Sequence, residues 1–188
     1  MMRQETENLY LKFKEKAEAV AAQVFLAPSA EAAGPLIAEQ LKALGVKRIV
    51  LSHSDLSRQG KLDEALEQEG FSVHSTDIRN QAPGADVGIS QLEIAVAETG
   101  SLANDVTNVD ARLVASLPTI HLALVPLEGL TATLEDALLK LYNNGQVPSH
   151  LCFTTGPSRT SDIERVLTIG VHGPEKLLIV FVGKGGQE

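Results

Sequence analysis

Cysteine is nearly absent from the 188 residues: Cys152 stands alone. One thiol cannot close an intrachain disulfide, and it cannot build a four-cysteine iron–sulfur or zinc site on this chain. A reducing compartment suits that usage. Tryptophan is missing, and two tyrosines with five phenylalanines offer few ring faces on which single-stranded bases would stack. Positive charge is scarce as well. The 16 Lys and Arg against 24 Asp and Glu leave a net charge of −8, and no dense basic stripe offsets it. A nucleic-acid backbone is repelled by such a surface, so no nucleic-acid partner is expected. Between Asn80 and Pro157 the basic residues are Arg112 and Lys140 alone. No apolar run nears the roughly 20 residues of a membrane span. Residues 1–16 are strongly charged and carry no signal-peptide h-region. The expectation is a cytoplasmic protein with no membrane span.

What is present is ordinary globular composition, 44% hydrophobic and 21% charged. A chain of this length buries roughly 70% of its extended surface, enough for a core without metal or disulfide. The spacing of Phe13, Ala17, Val20 and Val24 predicts an amphipathic helix over residues 8–27, stopped by Pro28 and Ser29. Residues 1–27 are therefore a candidate N-terminal helical arm of a single domain, 1–188. Further helices are predicted over residues 31–44, closed by Gly45, over 61–69, closed by Gly70, and over 133–143. Short apolar runs predict strands at 48–51, 71–74, 86–90, 93–97, 119–125, 149–154 and 177–182. Residues 80–85 read as a loop, Asn144-Gly145 as a turn and 183–188 as a frayed tail. This alternation implies an α/β fold with a central, mostly parallel sheet flanked by helices.

Several motifs are missing. No G-x-G-x-x-G follows a strand, and no G-x-x-x-x-G-K-[ST], H-E-x-x-H or G-x-S-x-G occurs. The histidines share no spacing that would make a metal site, and none is expected. His121, inside an apolar run, reads as a buried and satisfied side chain, and Cys152, between Leu151 and Phe153, as packing.

Three polar segments remain. Ala97-Glu98-Thr99-Gly100-Ser101 follows an apolar strand. It is either a solvated turn or a ligand cluster in which Glu98 serves as base, nucleophile or hydrogen-bond acceptor. Thr155-Gly156-Pro157-Ser158-Arg159-Thr160-Ser161-Asp162 follows another strand, and Ser161-x-x-Glu164 matches a capping box. It reads as a capped turn or as an anion site, where helix N–H groups and Arg159 hold a carboxylate or phosphate. Gly170-Val171-His172-Gly173-Pro174 is a tight bend whose one ionisable side chain, His172, is either idle or an acid, base or donor. All three lie beside predicted strand ends, so they are expected to converge.

Taken together with Arg112-Leu113, Ser116-Leu117-Pro118, His121 and Val125-Pro126, the order and spacing of these segments resemble the lactate-utilisation protein C family, which carries the LUD domain. The resemblance implies a fold like that of the NagB/RpiA/CoA-transferase group. It implies a role in oxidising L-lactate to pyruvate alongside iron–sulfur partner proteins, which would carry the clusters, with no cofactor on this chain. The pocket expected on that basis comprises Glu98, Thr99, Gly100, Ser101, Gly156, Ser158, Arg159 and Thr160, with His172 near it. Arg159 would hold a small carboxylate or phosphate, and Glu98 and His172 are the catalytic candidates. The alternatives are a stand-alone CoA-transferase-like or sugar-phosphate-isomerase-like enzyme, and a non-catalytic regulatory binding protein. One stretch departs from the family pattern. Ala103-Asn104-Asp105-Val106 stands where a more apolar strand continuation is expected.

Overall fold

The computed structural model describes residues 4–142, 150–161 and 168–185. In chain order its elements begin with α1 (Gln4–Ala19), β1 (Ala22–Ala27), α2 (Ala30–Ala43), β2 (Arg48–Leu51), α3 (Asp55–Gln59), α4 (Leu62–Gln68) and β3 (Ser72–His74). There follow α5 (Ile78–Gln81), β4 (Val87–Gln91), β5 (Ile94–Val96), β6 (Ser101–Asp105), α6 (Val109–Ser116) and β7 (Ile120–Pro126). The series closes with β8 (Leu130–Thr131), α7 (Leu134–Leu141), β9 (Leu151–Thr154), β10 (Arg159–Thr160), β11 (Thr168–Ile169) and β12 (Lys176–Val182).

The apolar runs assemble into a six-stranded sheet in the order β1-β12-β7-β4-β2-β3, every neighbouring pair parallel. A parallel sheet is covered on both faces, which is why these strands read as continuous apolar runs. Alternation along β12 divides the interior. Leu178, Val180 and Val182 pack with Ile37 and Leu41 of α2 and with Leu62 and Leu66 of α4. Leu177, Ile179 and Phe181 point the other way, toward α1 and a second sheet. That second sheet has the order β8-β5-β6-β9, with β6 antiparallel to both neighbours. Its far face rests on α7 through Ile94, Val96, Ala103 and Ala137. Beside it, α5 and α6 cover β2 and β4 through Ile78, Val114 and Val50.

The helix expected over residues 8–27 ends at Ala19. Ala21 adopts a left-handed φ of 68°, which breaks the helix, and residues 22–27 become the edge strand β1, paired in parallel along β12. Val20 and Val24 do extend the apolar stripe at helical spacing. Val-Phe-Leu also suits a strand, and the waiting edge of β12 decides the matter by supplying ladder hydrogen bonds. The helical arm expected over residues 1–27 is thus, over its described part, a helix and a strand built into the sandwich. Tyr10 and Phe13 of α1 meet Phe181 edge-on, with ring centroids 5.5 and 5.1 Å apart.

Other differences are smaller. The loop expected at 80–85 holds the end of α5 and a 3₁₀ turn at Ala82–Gly84. The short helices α3 and α6 span too few turns for a period to be read from the sequence. Their starts are nonetheless fixed by side-chain caps: Ser54 accepts from Ser57 N–H, and Asn108 Oδ1 accepts from Asp110 N–H at 2.8 Å. Asn104 does continue a strand, β6, despite its polarity. The tail is tied as far as Gly185, since the N–H groups of Gly183 and Gly185 donate to the Ala27 and Pro28 carbonyls. The Asn144-Gly145 turn lies outside the described residues.

Phe181 is fully buried where α1 meets the main sheet. Phe181→Ala is expected to remove about 3–5 kcal/mol of stability. Urea unfolding followed by circular dichroism measures it, and a loss under about 1 kcal/mol contradicts this packing.

Candidate functional site

The first polar segment is the turn of the β5–β6 hairpin. Gly100 N–H donates to the Val96 carbonyl at 2.9 Å, and the N–H of Glu98 donates to the Ala132 carbonyl. Glu98 is exposed, and its Oε1 accepts from Leu134 N–H at 2.6 Å, at the first turn of α7. A carboxylate there satisfies an orphan donor and suits the helix dipole. Thr99 faces solvent. Gly100 has a φ of 68°, and a Cβ at that position would overlap the α1 backbone at Lys16 and Ala17. Its lack of a side chain lets the hairpin seat on α1. Ser101 is buried, and its hydroxyl lies 2.7 Å from that of Thr155, the first residue of the second segment.

The second and third segments are bound to each other by backbone. Ser158 N–H donates to the Pro174 carbonyl at 2.9 Å, and Gly170 N–H donates to the Ser158 carbonyl at 3.0 Å. The β10–β11 pair adds the Arg159–Ile169 register. Gly156, at a φ of 71°, presses against the Val20 carbonyl, so both motif glycines dock on the end of α1. Between the two segments lies a cavity of about 330 Å³. That is near the lower end for small-molecule clefts. Thr155, Gly156, Pro157, Ser158 and Arg159 form one wall, and His172, Gly173 and Pro174 another. Ala115 and Ser116 of α6, Phe153, Thr154, His121 and Leu177 complete it.

The structure therefore brings Gly156, Ser158, Arg159 and His172 to one cavity. Ser101 reaches it indirectly through Thr155. Thr160 sits in β10 beside Arg159, outside the lining, and Glu98, Thr99 and Gly100 lie outside it too. Arg159 is exposed at the rim, with one guanidinium nitrogen 3.5 Å from the Thr155 carbonyl oxygen. It occupies a short strand; beyond Ser161, the expected helix start through Glu164 lies outside the described residues. Cys152 is exposed on β9 rather than packed, because β9 is the edge of the smaller sheet.

Sequence reasoning did not place His121 in the site. His121 and Leu177 are register partners near the amino-terminal ends of β7 and β12, where the covering layer stops. The imidazole is buried, and its Nε2 lies 2.9 Å from the Ser90 hydroxyl. Desolvation pushes its pKa down from 6.5 to about 4, so the ring is neutral near pH 7. A histidine in an otherwise apolar strand was the available signal, but it fits a buried structural role equally well. Among the described residues the lining holds one guanidinium and no carboxylate, an arrangement that favours a small anion. No three His, Cys, Asp or Glu side chains among the described residues are placed to hold a metal ion, and no described helix is long and apolar enough to cross a membrane.

Comparison with known proteins adds lineage to this geometry. The LUD domain family model matches residues 10–182. A "Lactate utilization protein C" from Oceanobacillus iheyensis is 34% identical over 161 residues, covering 78% of this chain and 68% of that protein. One of the same name from Shouchella clausii is 38% identical over 105 residues, covering 54% of this chain and 46% of its own. The chain thus spans about half to two thirds of the length of these two relatives. A crystal structure of a DUF162 family protein from Deinococcus radiodurans matches with a TM-score of 0.61 over 97% of this chain and 99% of that one. At 19% identity, that likeness establishes the fold alone.

Two outcomes follow from the local chemistry. Below about pH 6.5 the unfolded chain protonates His121, while the folded chain resists until about pH 4. Stability therefore falls as pH drops through that window, by on the order of 3 kcal/mol from this residue. His121→Gln, which can keep a hydrogen bond to Ser90, is expected to flatten that acid limb in urea melts; an unchanged limb contradicts it. Glu98→Ala leaves the Thr133–Asp136 capping box of α7 in place and is expected to cost about 1 kcal/mol by freeing the Leu134 N–H, read as a lowered urea midpoint.

Proposed function

The chain belongs to the LUD domain family, and on that premise we propose that it is a component of an L-lactate utilisation system. It would act beside iron–sulfur partner proteins in oxidising L-lactate to pyruvate. The relatives named "Lactate utilization protein C" support the process. The lone Cys152 is consistent with clusters residing on the partners. The observation that carries the site reading is a cavity with Arg159 at its rim and no carboxylate among its described lining residues. In this reading Arg159 grips the carboxylate of L-lactate or pyruvate, Ser158 and the Gly156 backbone line the anion's berth, and His172 stands at the mouth as the acid/base candidate. Ser101 and Thr160 brace the walls. Glu98 and Gly100 hold the hairpin against α7 and α1, and Thr99 faces solvent at its tip.

A stand-alone CoA-transferase-like or sugar-phosphate-isomerase-like enzyme acting through Glu98 would need that carboxylate in the cleft. Glu98 instead holds the start of α7, outside the described lining.

Calorimetric titration with L-lactate and with pyruvate tests the pocket. Arg159→Ala is expected to weaken binding on the order of tenfold or more, the worth of a charged hydrogen-bond pair; equal affinity of variant and parent removes the role given to Arg159. Deleting the gene in a host without a paralogue is expected to abolish growth on L-lactate. Normal growth there overturns the proposed process.

A further inference from the structure

The order of the main sheet creates a crevice that the site above does not use. From β2 the chain moves outward to β3, then crosses back to β4 on the opposite side of β2. The segments leaving β2 and β4 therefore diverge, and the space beyond the carboxyl ends of two such strands is where open parallel sheets admit ligands. A cavity of about 250 Å³ lies there. Its floor is made by Ser90 and Gln91 at the end of β4 and by Asn104 of β6, and Ser52 and His53 after β2 form a wall.

Asn104 is the informative residue. It is the polar departure in an otherwise apolar strand position, and it is only 9% exposed. Its Nδ2 donates to the Gln91 carbonyl at 3.4 Å, while its Oδ1 accepts from no described residue. That oxygen is not sealed in the core either. Among the described residues, Arg48 Nε alone is a fully enclosed side-chain polar atom without a partner. Asn104 lines the cavity, so an acceptor that is neither bonded to a described residue nor fully enclosed is available to a ligand there.

Charge narrows the occupant. Asp55, Glu93 and Asp105 meet this cavity with one guanidinium, that of Arg58, which already lies 4.0 Å from Asp55. An anion is disfavoured, in contrast to the cavity at Arg159. A metal ion fails on geometry, since no three ligating side chains among the described residues are arranged for one. Hydroxyls and carboxamides that both donate and accept are suited to ligand hydroxyls, and carboxylates accept from vicinal pairs of them. We propose that this crevice binds a small neutral polyol, a pentose or the ribose of a nucleoside, with Asn104 Oδ1 and the Ser52 hydroxyl among its partners.

The test is titration of the full chain with D-ribose and with adenosine, followed by backbone amide NMR. Both are expected to shift the amides of Ser52, His53, Ser90 and Asn104 and to leave those of Gly156, Ser158 and Arg159 in place. Asn104→Leu and Ser52→Ala are each expected to weaken D-ribose binding about tenfold, the loss of a ligand hydrogen bond; Ser52→Ala, in a loop, keeps the question open to measurement should Asn104→Leu fold poorly. The proposal is overturned if neither probe shifts those amides up to about 50 mM, a concentration that detects even weak sites. It is also overturned if adenosine binds while D-ribose is silent, if inorganic phosphate shifts the same amides, or if Ser52→Ala and Asn104→Leu bind like the parent.

Discussion

Strand β12 is bonded in parallel on both edges, to β1 and to β7, and buried on both faces. Six of its seven residues are buried, and their alternation sends Val180 toward α2 and α4 and Phe181 toward α1. The two largest core clusters meet at this strand. It turns residues 22–27 into an edge strand, and that pairing holds α1 over one face. The α1 helix in turn offers the surface against which Gly100 and Gly156 close. The hairpin and the loop that carry the polar motifs are thus seated on a hydrophobic seam, and hydrogen bonds among the segments then join them to each other. Burial supplies the force, and the glycines supply the close approach.

Where that covering layer stops, polar chemistry begins. At the amino-terminal ends of β7 and β12 the face between α6 and the smaller sheet is open, and His121 lies at its floor. At the carboxyl ends of β2 and β4 the diverging connections leave a second opening. The two are lined by opposite charge: Arg159 with no described carboxylate in one, three carboxylates and Arg58 in the other. Ser90 lines the second and His121 the first, and a single 2.9 Å hydrogen bond joins them along one face of the sheet. A neutral imidazole suits that bridge, since a charged one would be desolvated with no counter-ion in reach.

Much of the architecture was legible because its strands are buried on both sides. The run at 177–182 is apolar throughout, and those at 48–51 and 119–125 are broken only by Arg48, Thr119 and His121; a covered parallel sheet uses such runs well. The helices over 31–44 and 61–69 ended where Gly45 and Gly70 adopt positive φ. The misreading of residues 20–27 has a clear source. A short Ala- and Val-rich stretch fits the helical and the strand period alike, and the arbiter is a partner about 150 residues away in the chain. The motif segments were legible as chemistry but not as a constellation. Gly156, Ser158, Arg159 and His172 do share a cavity, whereas Glu98, in a segment of equal polarity, is held against α7.

The sequence by itself determined the class of fold, the two-sided burial of the central strands, the shortage of metal-ligating sulfur, and which loops hold the ionisable and hydroxyl groups. These are properties of composition and of short-range period, and neighbouring residues suffice to express them. Tertiary structure alone decided that β1 is a strand, that His121 is a neutral residue at a cavity floor, and that Arg159 and Glu98 part company. Each of those depends on contacts between segments distant in the chain, and on how far from water the packed layers carry a given side chain. No local pattern encodes that distance.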